Sequence, residues 1–451
     1  MMVGMRNSFA GTAGIGYAYG MNQKQVTERN GAQVRWNLIA LMLDVTFFSL
    51  GMAFTDPSAV LPLLLKRLGG SSLLIGGFVT LRYLAFNGLQ IVVAWGTHGQ
   101  PRQKPFLVLI AAVTRLPLLA LPYYIYHAAD SPAAQRSALF ALVALLTLWA
   151  LGDGLGYVPW MEIVARAFSG KVRGRFFATT QLLSGLISIA IAAVLVRGVL
   201  ASPHFPYPHN YALLMLVAAL MFQVSLIGVL FIREPPFPPS AIQPHIPLVA
   251  YFRRLPGLVR NNPAFARLAG IQLLIGFGSA SAPFYVLYAL HRFHLADAWG
   301  GIYQTAQAVG VVSLMPIWTY LSEKRNPATA VRGLALGCLL TPVLAMTLGT
   351  LSPWLFALVF LLMGGTLGWG MWIVLNHYLL SHVAEDDRPV FIALINLLFV
   401  PSALYPSLGG LFILHDRFVT VAGIPALFLL TALVTSTGLI LALRLPAPSN
   451  T

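Results

Sequence analysis

Twelve apolar runs, most of them about 20 residues or longer, succeed one another along this 451-residue chain. A helix of about 20 apolar residues crosses the hydrocarbon core of a bilayer. Only 9% of the residues are charged, whereas a soluble domain carries roughly 25%. The sequence therefore predicts an all-α polytopic membrane protein with twelve transmembrane helices. We number the runs as spans 1 to 12, and they cover residues 36–65, 73–95, 106–126, 138–165, 176–196, 211–232, 265–287, 299–321, 331–348, 353–380, 390–414 and 421–443.

The longest internal connection, residues 233–263, separates the spans into two groups of six. It contains the run REPPFPPS, and its prolines prevent a continuous helix between spans 6 and 7. We call this segment the linker. The predicted organisation is an N-terminal tail (1–35), an N-terminal six-helix half (36–232), the linker (233–263), a C-terminal six-helix half (264–444) and a C-terminal tail (445–451).

Basic residues are divided unequally between the two predicted sides of the membrane. Twenty of the 28 Lys and Arg residues fall on the side of the N-terminal tail and the linker, six fall on the opposite side, and Arg82 and Arg115 lie within spans. Because loops rich in Lys and Arg remain in the cytoplasm, both termini are predicted to be cytoplasmic in a plasma (inner) membrane. The formal net charge of +15 then reflects topology, and no nucleic-acid partner is expected.

The two groups of spans resemble each other in sequence. The segment 155–160 of span 4 matches 367–372 of span 10 at an offset of 212 positions, and a second series follows at an offset of 215. Two sets of matched residues that occur in the same order in both groups predict two six-helix halves related by a parallel repeat. The second series matches Arg173, Phe176, Ala178 and Gln181 with Arg388, Phe391, Ala393 and Asn396, and weaker matches join Pro57 and Gly76 to Pro283 and Gly300.

Twelve spans, a cytoplasmic linker and the repeated halves together resemble the major facilitator superfamily of transporters. The family carries a loop signature after span 2 that contains an acidic residue followed by a basic one. In this chain the corresponding segment begins at Gly96 and keeps a basic end with Arg102, but it has no acidic residue. The equivalent loop after span 8 carries Glu323 and Arg325. The resemblance implies that these two loops form cytoplasmic gates and that a central cavity lies between the halves.

The resemblance implies a monomeric secondary transporter, surrounded by membrane lipid, that moves a small organic solute by alternating access. The sequence has no Gly-x4-Gly-Lys-Ser/Thr phosphate loop, so we expect no ATP-driven transport, and proton coupling is the working hypothesis. No cofactor, metal or catalytic residue is expected, although His291, His294 and Asp297 have a spacing compatible with zinc. Two alternatives remain open: a transporter-like sensor or assembly factor without transport activity, and a membrane-embedded enzyme that modifies lipid.

Charged side chains within the spans are the first candidate functional residues, because each costs about 2.5–3.5 kcal/mol at the bilayer centre. Their depths, at a rise of about 1.5 Å per residue, predict one ion pair between Asp56 and Arg82 and another between Arg115 and Asp153. Asp153 is the first candidate for proton coupling, and Asp44 in span 1 is the second. A purely structural role as helix-to-helix contacts is an equal alternative for the pairs.

Polar and aromatic side chains at helical spacing complete the predicted site. Trp149 and Trp160 share a face of span 4 with Asp153, and span 10 has a comparable face. The family resemblance implies that such faces line the substrate cavity. The cavity candidates are Trp149, Gln181, Gln272, Ser279, Gln304, Gln307, Trp369, Trp372, Asn376 and Asn396.

Overall fold

The computed structural model describes residues 31–97, 100–235, 263–381, 399–415 and 423–445, and every regular element in these ranges is helical. Nine of the described helices are long and apolar enough to cross a membrane. They correspond to spans 1, 3–7, 9, 10 and 12, so the predicted all-α membrane fold is confirmed. These helices are Gly31–Phe54, Lys104–Tyr126, Pro132–Ala167, Lys171–Ala201, His209–Phe231, Phe265–Arg292, Pro327–Leu348, Pro353–Leu379 and Gly423–Leu443.

Spans 2, 8 and 11 are described as shorter or less apolar helices. Span 2 consists of Ser72–Asn87 and Gln90–Thr97, and span 8 is the helix Ala298–Tyr320. The described part of span 11 consists of Phe399–Ser402 and Tyr405–His415. Most of the linker, both tails beyond the ranges above, and Asn396 lie outside the described residues.

Several spans begin at a polar residue followed by proline. Ser131, Asn326 and Ser352 each accept a backbone N–H with the side-chain oxygen, at 3.1, 2.8 and 3.3 Å. A proline follows each of them, at the start of spans 4, 9 and 10. Proline costs no hydrogen bond in the first helical turn, where its missing N–H would have no partner in the helix. These pairs therefore fix where the three helices start.

The first span of each half is interrupted near a matched proline. In span 1 the helix Gly31–Phe54 ends and a second helix, Val60–Arg67, begins after a turn of five residues. In span 7 a short 3-10 segment, Phe277–Ala280, precedes Pro283. A residue that precedes proline is disfavoured in helical geometry, which explains the break at Asp56 before Pro57. We call residues 55–59 the span 1 break.

The two halves approach each other closely at the end where Val60–Arg67 lies, which we call the distal end. A Cβ on Gly76 of span 2 would overlap the carbonyl oxygen of Pro406 in span 11. A Cβ on Gly301 of span 8 would lie 2.7 Å from the backbone nitrogen of Arg197 at the end of span 5. Glycine is therefore required at both crossings. The hydrogen bonds that join described residues of the two halves all lie in the distal part of the bundle.

Candidate functional site in the N-terminal half

Asp44 of span 1 lies at the centre of a buried polar network. Ser225 of span 6 donates to its Oδ1 at 2.5 Å, and the Trp160 indole of span 4 donates to its Oδ2 at 2.8 Å. The Nη1 of Arg115 in span 3 donates to Ser225 Oγ at 2.9 Å and lies 3.8 Å from Asp44 Oδ1. Four spans thus meet at one carboxylate whose two oxygens both accept hydrogen bonds.

This network corrects the predicted pairing of Arg115 with Asp153. Arg115 forms its ion pair with Asp44, and no described carboxylate other than Asp44 lies within 4.0 Å of it. The close crossing of spans 1 and 6 explains why Asp44, and not Asp153, is the partner of Arg115. A Cβ on Gly228 of span 6 would lie only 2.6 Å from the Asp44 nitrogen, so the short Ser225 side chain, three residues earlier, reaches the carboxylate.

Arg82 of span 2 is buried against the span 1 break. Its Nη1 donates to the Thr55 carbonyl oxygen at 2.8 Å, and its Nη2 lies 3.3 Å from the Met52 sulfur. The guanidinium carbon lies 5.0 Å from the ring centroid of Trp149. Because the break leaves the Thr55 carbonyl outside a continuous helix, Arg82 supplies one of the donors that the helix would otherwise provide.

Asp56 does not form the predicted ion pair with Arg82 in this structure. Its Oδ1 accepts the backbone N–H groups of Ser58 and Ala59 at 2.9 and 2.7 Å. No contact within 4.0 Å joins its carboxylate to the Arg82 guanidinium, although the two groups interact electrostatically at longer range. The amides freed by the break compete successfully for the carboxylate because they are adjacent in sequence.

Asp153 lies on the face of span 4 that is turned toward span 1. Trp149 and Trp160 share this face: the first stacks on Phe48 at 5.9 Å between centroids, and the second binds Asp44. Asp153 is partly exposed and forms no hydrogen bond or ion pair within the part of the chain that the structure describes. Both Arg115 and Arg82 act on it electrostatically. It is therefore a carboxylate within electrostatic reach of two arginines and bound to neither.

Three aromatic side chains separate the two arginines. Phe48, Trp149 and Phe222 pack with centroid distances of 5.9, 5.7 and 4.8 Å. The Arg115 guanidinium lies 5.4 Å from the Phe48 centroid, as Arg82 lies over Trp149. Contacts between a guanidinium and an aromatic face contribute more when water is excluded. The cluster thus holds both cations within a largely apolar interior.

Among the cavity candidates of the C-terminal half, Gln304 reaches furthest toward this site. Its Nε2 donates to the Ala53 carbonyl oxygen at 2.5 Å, so that span 8 contacts span 1 beside the break. Its Oε1 is buried without a hydrogen-bond partner among the described residues, as is the Oε1 of Gln307. Span 8 therefore brings one unsatisfied buried acceptor, Gln304 Oε1, to the interface between the halves.

The other cavity candidates are not brought together with this site by any described contact. Gln181 is partly buried and Gln272 is buried, while Ser279 donates to Gly276 of its own helix at 2.8 Å. Asn376 donates to the backbone of Trp372 at 2.8 Å, and the Trp372 ring is exposed. The Trp369 side chain and Asn396 lie outside the described parts of the chain.

Asp297 takes part in the distal closure rather than in a histidine cluster. Arg67 donates to both its carboxylate oxygens at 2.9 and 3.0 Å, and the Tyr211 hydroxyl donates to Oδ2 at 2.8 Å. The hydrogen bond with Asp297 raises the pKa of the Arg67 guanidinium. No group of three His, Cys, Asp or Glu side chains suited to a metal occurs in the described part of the chain.

Glu234, at the start of the linker, is a polar contact that the sequence reasoning missed. Its carboxylate accepts the backbone N–H groups of Gln103 and Lys104 at 2.6 and 3.0 Å, at the start of span 3. Arg166, at the end of span 4, lies 3.5 Å from it and also pairs with Glu162 at 2.9 Å. The loop after span 2 lacks an acid of its own, and Glu234 supplies one from 130 residues away.

The predicted gate residues themselves make few contacts. Arg102 is exposed, and the Gly96 carbonyl accepts from the nearby Gln100 side chain at 2.9 Å. Glu323 and Arg325 are exposed on a π-helical turn that continues span 8. Their assignment to gates stays a prediction.

A family model described as the Major Facilitator Superfamily matches residues 38–404, which is most of the chain. The chain belongs to the Major Facilitator Superfamily. It is therefore a multi-pass membrane protein of a transporter family, as the sequence resemblance implied. No curated protein sequence matches it.

Solved structures of transporters share the fold of this superfamily member. A peptide transporter POT in complex with sulfate has a TM-score of 0.62 at 15% identity, covering 91% of this chain and 93% of that chain. A D-xylose–proton symporter has a TM-score of 0.58 at 13% identity, and the match covers 88% of this chain and 96% of that chain. The third structure is a bacterial homologue of the human lysosomal transporter Spinster, in an inward-facing and unoccupied conformation. It has a TM-score of 0.56 at 13% identity, and the match covers 92% of this chain and 95% of that chain. At these identities the similarity concerns the fold alone.

Proposed function

We propose that this protein is a secondary transporter that moves a small organic solute by alternating access and couples that movement to protons. The observation that carries the proposal is Asp153, a carboxylate within electrostatic reach of Arg82 and Arg115 that forms no ion pair or hydrogen bond among the described residues. A charged group inside a membrane protein that has no structural partner is a candidate for a functional role. The proton-coupled xylose symporter shares this fold.

The charge balance of the site supports a proton as the coupling ion. Two arginines and three aspartates, Asp44, Asp56 and Asp153, carry a net charge of −1 when all are ionised. One proton on a carboxylate makes the set neutral, and a neutral set costs less to enclose in a low-dielectric interior. Asp44 and Asp56 each accept two hydrogen bonds that favour the ionised form, so Asp153 is the carboxylate free to take the proton.

The distal closure supports a rocking mechanism. Arg67 of the N-terminal half holds Asp297 of the C-terminal half, and the glycine crossings at Gly76 and Gly301 lie at the same end. Opening this end requires the Arg67–Asp297 pair to separate, while the Asp44 network lies within one half and stays intact. A transporter built from two repeated six-helix halves exposes one site to either side of the membrane by alternating between a state closed at this end and a state open at this end.

Transport by the reconstituted protein tests this proposal. A thermal-stability screen of the purified protein finds a compound that binds the folded state, because binding raises apparent stability. We expect proteoliposomes to accumulate that compound when an inward proton gradient is imposed, and a protonophore to abolish the accumulation. Uptake that is equal with and without the gradient would refute proton coupling. A binding compound that is never moved would favour the alternative of a transporter-like sensor or assembly factor, and turnover of lipid would favour the membrane enzyme.

We also propose that the distal end faces outside, with both termini in the cytoplasm. The only cysteine, Cys338, is buried, so the unmodified protein should not react with a membrane-impermeant maleimide. Ser202→Cys, in the loop after span 5, should react in intact cells, and Gln100→Cys should react only after the membrane is permeabilised. Reaction of both from the same side would overturn the topology.

A further inference from the structure

We infer that Arg82 binds an oxyanion of the transported solute, so that the solutes of this protein carry a carboxylate or a comparable anionic group. The inference rests on the proposed transport function and assigns a substrate class to it. Three observations carry it: the incomplete pairing of Arg82, its place at the span 1 break, and the unsatisfied acceptor on Gln304 beside it.

Arg82 differs from the other buried arginines of the described chain. Arg115 lies 3.8 Å from Asp44, and Arg166 lies 2.9 Å from Glu162. Arg82 is only 7% exposed, yet its hydrogen-bonding partners are one backbone carbonyl and one thioether sulfur. A guanidinium has five N–H donors and a permanent charge. Its desolvation is therefore compensated less completely than that of the two arginines that have a carboxylate.

Neither nearby aspartate supplies the missing partner. Asp56 turns its Oδ1 to the backbone amides of Ser58 and Ala59, and its carboxylate has no contact with the Arg82 guanidinium within 4.0 Å. Asp153 interacts with Arg82 only at a distance beyond an ion pair. A charged side chain buried in a membrane protein usually forms an ion pair or binds a substrate. Arg82 forms no ion pair with either aspartate. An anion that enters the protein would complete the pair.

The position of Arg82 is one where a solute is expected. It lies at an interruption of the first span, and interrupted helices mark the substrate sites of many transporters. Arg82 binds the Thr55 carbonyl and Gln304 binds the Ala53 carbonyl, two residues earlier, so both halves of the protein reach this point. The geometry of a site that both halves contact changes when the halves tilt relative to each other.

The groups at this point define the chemistry of the solute. A guanidinium presents paired N–H donors that match the two oxygens of a carboxylate. The Trp149 ring lies under the Arg82 guanidinium and is itself buried, and Gln304 Oε1 is a buried acceptor without a partner among the described residues. The fitting solute is a small organic anion with an N–H or O–H donor.

Matched compounds separate this inference from the transport proposal itself. The probes are monocarboxylic acids and their primary amides, measured by thermal stabilisation of the purified protein. Some of the acids should stabilise it, and their amides should not. Arg82→Gln keeps a donor for the Thr55 carbonyl but removes the charge, and should weaken acid binding at least tenfold. Arg82→Lys should give an intermediate loss, because a lysine keeps the charge without the planar pair of donors. Arg136→Gln, at an exposed arginine near the start of the span 4 helix, is the control and should bind the acids normally.

Each outcome bears on one of the two proposals. If amides stabilise the unmodified protein as well as the acids do, the anion site is refuted, whether or not Arg82→Gln folds. If Arg82→Gln folds and binds acids normally, Arg82 is structural and the inference is wrong, while transport of the bound compound still stands. If acids bind through Arg82 but never cross the membrane, the anion site stands and the transport proposal fails.

Discussion

Arg115→Leu is expected to lower the free energy of unfolding by about 3–5 kcal/mol, because it leaves the carboxylate of Asp44 buried without its cation. The Arg115 and Asp44 side chains are 9% and 6% exposed, so solvent screens their interaction little. Arg115→Leu also removes the donor that orients Ser225 toward Asp44. Asp44→Leu alone should have a comparable effect for the opposite reason, since Arg115 would then be the uncompensated charge.

The double variant Arg115→Leu with Asp44→Leu should recover most of that loss. Replacement of both members of a buried ion pair by apolar residues is often nearly neutral. The measurement is a double-mutant cycle on the purified protein in detergent micelles, by chemical denaturation. The matched control is Arg115→Leu with Asp153→Leu, for which we expect a much smaller recovery, because Arg115 reaches Asp153 only at longer range. If the Asp153 combination restores stability and the Asp44 combination does not, the pairing described here is wrong.

The partner of Arg115 shows where sequence reasoning stops. Charge counts and helical rise predict that Arg115 pairs with an aspartate at similar depth, and adjacency in sequence favours Asp153 of the next span, whereas the structure pairs Arg115 with Asp44. The actual choice depends on how closely spans 1 and 6 cross, which Gly228 and Ser225 permit. Many glycines and serines occur in the apolar runs of this chain. Only the packed structure identifies which of them bring two helices together.

The predicted ion pair of Asp56 competes with a second signal in its local sequence. An aspartate before a proline favours a turn, and the side chain of aspartate readily accepts nearby backbone amides. That pattern in span 1 predicts a break, whereas the apolar run around it predicts a continuous helix. Both are correct in part, because the helix stops at Phe54 and resumes at Val60. Glu234 had no such local signal, since its contacts with span 3 are set by the tertiary fold.

Asp153→Asn is expected to abolish accumulation driven by a proton gradient and to preserve exchange of solute across the membrane. Asparagine has nearly the same size as aspartate but cannot take up or release a proton, so the solute can still bind and the halves can still rock. The loss of accumulation should be complete, because a carrier without a titrating group cannot draw on the gradient. Proteoliposomes loaded with unlabelled solute measure exchange, and the same vesicles with an imposed gradient measure accumulation.

Asp130→Asn is the matched control for this substitution. Asp130 is an exposed carboxylate of the loop before span 4, where it contacts only His127 at 2.7 Å, and its removal should change neither measurement. Asp44→Asn is a second comparison: it disturbs the partner of Arg115 and should reduce the yield of folded protein before any effect on coupling is seen. Because Asp153 has no partner to lose, Asp153→Asn should fold normally. If that variant still accumulates solute at the unmodified rate, the proton is carried elsewhere and Asp153 has a structural role.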